Sequence, residues 1–199
     1  MATLKSMLAS SDQSVRLQAA LTAGTYPKPE YIDILIGQCA IEPDFYVRDT
    51  MSWALMRNER EQVVKRLRVE LKSSNPQAKS QPIHTFSKIG DKNNYALITD
   101  EMLFNENELI ASTSWRAAVA LVPDDQKLDL IEKLISQLGR GDSDLQFALT
   151  RSLCNLGKLI VEPLKSAATS EIEEVRLHAE FTLMRFNEME LEASNKRGR

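Results

Sequence analysis

Cysteine is nearly missing from this chain: Cys39 and Cys154 are the two among 199 residues, and they stand far apart. That excludes a disulfide framework and points to a reducing interior, the cytoplasm. Histidine is equally scarce, with His84 and His178 only. No zinc-type Cys/His spacing can be built from these residues, so no metal is expected. Glycine and proline, seven each, are too few for a loop-dominated fold. No apolar run approaches the ~20 residues of a membrane span. Met1 to Met7 carries Lys5 but no apolar stretch of signal-peptide length, so a soluble protein without membrane contact is expected. Positive charge is not in excess either: the net charge of −3 argues against nucleic-acid binding through overall charge and leaves room for a local basic patch. A phosphate-cradling loop is missing, since Gly139-Arg140-Gly141 lacks the downstream Lys and Ser or Thr of a P-loop. Without a Gly-x-Ser-x-Gly elbow as well, the residues support neither catalysis nor a cofactor.

What is present is a repeat. Asp12-x-x-Val15-Arg16, Asp44-x-x-Val47-Arg48 and Asn75-x-x-Ala78-Lys79 share one pattern. Weaker copies follow at Asn107-x-x-Ile110, Asp142-x-x-Leu145-Gln146 and Val175-Arg176. The apolar anchors lie 32, 31, 32, 35 and 30 residues apart, the spacing of stacked supersecondary units. Positions four, eight and eleven beyond each anchor are mostly apolar, for example Met51 and Leu55 after Val47, which is one face of a helix. The Asp or Asn before each anchor is placed to cap that helix, and the Arg after it is placed to bridge to a neighbouring Asp.

Each unit then offers a second apolar helix. These start at Tyr31-Ile32, Val63-Val64, Ala96-Leu97-Ile98, Leu130-Ile131 and Leu159-Ile160-Val161, after breaks such as Gly24 to Pro29, Gly90-Asp91 and Pro123-Asp124. No window alternates with a strand's period of two. Pro82 falls inside the first helix of the third unit and is expected to kink it or delay its start. The fold expected is all-α, one continuous domain over residues 1–187. Residues 188–199 form a polar C-terminal cap or flexible tail.

The D-x-x-V-R copies at Asp12 to Arg16 and Asp44 to Arg48 resemble HEAT repeats, including the short bacterial form related to phycobilin-lyase repeats. Phe45-Tyr46-Val47-Arg48-Asp49, Ser87-Lys88-Ile89-Gly90-Asp91 and Trp115-Arg116-Ala117-Ala118-Val119 support the likeness, which covers roughly residues 8 to 187. It implies a right-handed α-α superhelix, an α-solenoid of about six helical hairpins. It is nearly silent on function. Deoxyhypusine-hydroxylase-type HEAT proteins hold two irons with paired His-Glu dipeptides. Here His84 and His178 are followed by Thr85 and Ala179. HEAT-like alkylpurine DNA glycosylases use aromatic and acidic residues in a basic groove, loosely echoed by Trp53, Asp49 and Trp115.

Offsets of three, six and ten from the anchors share the helix side opposite the apolar stripe. In the second to fifth units they hold Thr50/Trp53/Arg57, Gln81/His84/Lys88, Thr113/Arg116/Ala120 and Ala148/Arg151/Asn155. The candidate partner-binding residues are therefore Trp53, Arg57, His84, Lys88, Arg116 and Arg151, a cationic strip with no carboxylate among its twelve positions. Such a strip suits a protein or peptide partner with carboxylates. A nucleic acid is the alternative, and a purely structural role with an occluded apolar face is a third. The same residues are also what a solvated helix face carries, with Trp53 and Trp115 as packing groups. Sequence alone leaves those readings open.

Overall fold

Five helices begin where an Asp or Asn side chain takes up a free backbone N–H. Asp12 accepts from Ser14 N at 2.8 Å, Asp44 from Val47 N at 2.9 Å and Asn75 from Ala78 N at 3.1 Å. Asn107 accepts from Ile110 N at 3.3 Å and Asp142 from Leu145 N at 3.0 Å. These are the caps expected from the repeat. The computed structural model describes residues 3–197, which are all-α, with no strand among the described residues. None of its helices is long and apolar enough to cross a membrane.

The chain divides into two compact units, Met1–Gly90 and Asp91–Arg199, where one domain over residues 1–187 was expected. The first unit holds α1 (Leu4–Leu8), α2 (Gln13–Thr25), α3 (Tyr31–Cys39), α4 (Phe45–Met56), α5 (Arg60–Glu70) and α6 (Pro76–Ile89). Helices α2, α4 and α6 pack side by side, with α3 and α5 beside them. Small residues suit the α2–α4 packing: Ala19, Ala20 and Ala23 on α2 are fully buried, as are Met51 and Ala54 on α4. Pro82 sits within α6 without delaying its start, which Pro76 makes at a position where an N–H has no partner to lose. Gly90 ends α6 at φ +70°, its N–H bonded to Phe86 O at 3.1 Å.

The second unit holds α7 (Asp100–Leu103), α8 (Glu108–Leu121), α9 (Lys127–Ile135), α10 (Ser143–Cys154), α11 (Val161–Ala167) and α12 (Glu173–Arg197). Short 3-10 segments lie at Lys92–Leu97, Asp124–Gln126 and Gly157–Ile160. Helix α8 packs on α10 and α10 on α12, while α9 and α11 form the neighbouring layer. The second helix expected at Ala96-Leu97-Ile98 is split into a 3-10 segment and the single turn of α7. Asp91 caps the first piece through Asn93 N, and Thr99 starts the next without a side-chain cap. Helix α12 continues past residue 187 to Arg197, since Glu, Leu, Met, Ala and Lys favour continuation and no breaker intervenes before Gly198.

The arginine ladder takes another form. Arg16 pairs with Glu42, not with the Asp of the next repeat, through Nε–Oε2 at 2.8 Å and Nη2–Oε1 at 2.9 Å. Glu42 is fully buried and also accepts from Asp44 N. Arg48 donates instead to the Glu42 and Pro43 carbonyls, and Arg176 to the Ser170 carbonyl. Arg16 also donates to the Ser10 and Ser11 carbonyls, so each guanidinium ties down the loop ahead of its own helix. In the second unit His178 does similar work from inside. Its Nδ1 accepts from Gly139 N at 3.1 Å, which leaves Nε2 to donate towards Gln146 O at 3.1 Å, with Thr150 Oγ1 3.0 Å away. Burial lowers its pKa, against the Gln146 bond.

Candidate functional site

Four of the six candidate residues lie in the first unit, on α4 and α6. Trp53 is half-buried and packs against α2: a Cβ at Gly24 would stand 2.1 Å from Trp53 Cζ3. It therefore serves as packing while keeping part of its surface in solvent. Arg57 is exposed at the C-terminal cap of α4. His84 and Lys88, one turn apart on α6, converge on Asp49 of α4. Lys88 Nζ donates to Asp49 Oδ1, and His84 Nε2 lies 3.2 Å from the same oxygen. Burial pushes the Asp49 carboxyl up, but the bonds from Lys88 and then His84 outweigh it and hold the carboxyl below its usual range. The strip has a carboxylate after all, one position outside the offsets that defined it.

The other two residues, Arg116 on α8 and Arg151 on α10, are exposed in the second unit. Arg116 makes one long contact, from Nη2 to Thr113 Oγ1 at 3.4 Å. Among the described residues no carboxylate pairs with either guanidinium. Desolvation and then the charge of Arg151 lower the Arg116 pKa, yet a guanidinium stays protonated, so two positive charges persist side by side. Several other cations of this unit are neutralised: Lys133 by Asp100 and Asp129, Lys127 by Asp124, and Arg185 by Glu188. Arg140 and Arg176 are tied to backbone carbonyls instead, at Asn105 and Ser170.

Arg151 also lines a cavity of about 400 Å³ between α10 and α12, with Phe147, Cys154, Phe181, Met184 and Arg185. The rings of Phe147 and Phe181 meet edge to face, 5.3 Å between centroids. Phe147 and Met184 are each 49% exposed and Met189 44%, far more than apolar packing groups of a core. This groove escaped the sequence reading, although its signal was there. The same offsets counted from Val175 give His178, Phe181 and Arg185, and two of those three line the groove.

Trp115 is fully buried, with Nε1 donating to Leu103 O at 2.8 Å, so it is a packing residue. Cys39 and Cys154 are free and buried. Burial pushes the Cys39 thiol up to about 12 and raises Cys154 as well, which disfavours the thiolate at both. Among the described residues no three His, Cys, Asp or Glu side chains gather as a metal site.

Comparison with known proteins adds little. No family model matches this chain, and no curated protein matches it. A solved structure described as an engineered protein, from the Northeast Structural Genomics Consortium, shares 18% identity over 93% of this chain and 95% of its own. Its TM-score of 0.47 is too low to carry an argument about fold or role.

Proposed function

We propose that both units are built from HEAT-like α-solenoid repeats and that the protein is a non-enzymatic adaptor. It binds a protein or peptide partner through exposed cations on the first helices of its repeats, in the cytoplasm. One observation carries this reading: Arg116 and Arg151 face solvent on packed helices with no carboxylate to pair with among the described residues. Two like charges held together cost free energy, and a partner's carboxylates remove that cost. Supporting it are the five Asp or Asn caps at repeat spacing and the helix rows within each unit.

The test is capture from lysate of the native host by the immobilised protein, with bound proteins identified by mass spectrometry. A variant carrying Arg57→Glu, Lys88→Glu and Arg116→Glu loses the specific partner while its circular dichroism is unchanged. Equal capture by this variant refutes the location. Binding instead to a DNA duplex, with affinity falling steeply as salt rises, replaces the protein partner by a nucleic acid.

A further inference from the structure

Resting on the adaptor reading, the α10–α12 groove says what kind of partner fits. Its floor is aromatic and sulfur-bearing: Phe147, Phe181 and Met184, with Met189 at one end. Methionine and edge-on aromatics adapt to varied apolar shapes, and a patch left half-exposed this way marks a recognition surface. The cavity of about 400 Å³ admits anchoring side chains and not a folded face. At its rim stands Arg151, and next to Arg151 stands Arg116, both without a carboxylate among the described residues. Apolar seat and unmet positive charge lie within one stretch of surface on a chain whose net charge is −3.

We propose that this groove docks an acidic amphipathic peptide segment of a partner protein, seating an aromatic or aliphatic side chain between Phe147, Phe181 and Met184 and laying carboxylates on Arg151 and Arg116. Charge complementarity selects the occupant. An uncharged apolar segment leaves both guanidinium groups unmet, and a basic segment is repelled. The segment binds as a helix presents its face, with anchors three or four residues apart and acidic residues beside them.

The probe is a displayed library of random 16-residue peptides panned against the full chain, followed by fluorescence anisotropy on the enriched sequences. Enriched peptides carry Asp or Glu flanking Phe, Leu or Trp. Their affinity falls about tenfold or more with Arg151→Glu, and comparably with Phe147→Ser, two exposed positions whose replacement leaves helicity intact. Arg57→Glu and Lys88→Glu leave these peptides bound. Enrichment without acidic bias, no enrichment above an unrelated helical protein, or indifference to both Arg151→Glu and Phe147→Ser overturns the proposal. So does concentration-dependent dimerisation abolished by Arg151→Glu, since the occupant is then a second copy of this chain. If lysate capture still depends on Arg57 or Lys88 while groove variants are silent, the adaptor reading survives and this groove does not.

Discussion

Position +6 of the second and third repeats holds Trp53 and His84; in the fourth and fifth it holds Arg116 and Arg151. In the first unit those two positions are internally settled. Trp53 lies on Gly24, and His84 and Lys88 share the carboxylate of Asp49. In the second unit the equivalent positions are two guanidinium groups with no counter-charge among the described residues, beside a half-exposed aromatic groove. Equal helical phase therefore does not mean equal availability. What decides is whether a neighbouring helix supplies the opposite charge, and a residue with its partner already at hand gains little from an external ligand.

The largest effect separates the two tryptophans. Trp115→Ala removes a fully buried indole and its bond to Leu103 O, and costs about 3–5 kcal/mol in urea denaturation. Trp53→Ala costs distinctly less, because part of the side chain is already exposed. Equal losses would erase the distinction between a core and a surface tryptophan.

Gly24→Ala comes next and is informative in sign. In an open helix interior this change stabilises by about 1 kcal/mol, but here the new methyl meets the Trp53 ring and the expected result is a loss of about 1–3 kcal/mol. The double variant with Trp53→Ala recovers most of that loss. A stabilising single variant would show that Trp53 does not rest on α2.

A pH series isolates the buried histidine. The folded His178 pKa lies below its ordinary value, so the unfolded chain binds more protons near and below pH ~6.5. Its contribution to stability is whole above that pH and declines as pH falls towards the folded pKa. Chemical denaturation at successive pH values shows this decline in the second unit, and His178→Gln flattens it. An unchanged slope in the variant would remove the buried histidine as its cause.

Asp49→Asn is the smallest in stability, within about 0.5 kcal/mol, because the side chains it joins are partly exposed. Its use lies elsewhere: it frees Lys88 and makes the first unit's surface resemble the second's. Weak new binding of acidic peptides there sharpens the comparison, and a large stability loss would contradict it.

Much of the fold could be read before any coordinates. Caps such as Asp44 and Asn107 are local, since the side chain serves an N–H three residues on, and local rules survive tertiary context. The anchors' partners at +4 and +8, such as Met51 and Leu55, are buried as their spacing implies. Tyr26 fails at +11, standing 69% exposed, because α2 stops at Thr25. The pairing of Arg16 with Glu42 was not legible, for it joins residues of different repeats through a loop whose course no periodicity describes. The pairing of Asp49 with Lys88 and His84 was missed for a geometric reason: long side chains on α6 reach across to a position beside the strip's own phase. The site in the second unit was half legible, its arginines found by offset and its groove left out because Phe147 lies off that phase.

The account's central claim is that unpaired positive charge in the second unit, not the satisfied cluster of the first, recruits the partner. Capture from lysate by two double variants measures it directly. Arg116→Glu with Arg151→Glu should abolish the specific partner at unchanged helicity, while Arg57→Glu with Lys88→Glu should reduce it modestly at most. Full capture by the first pair, or complete loss confined to the second, would contradict the claim.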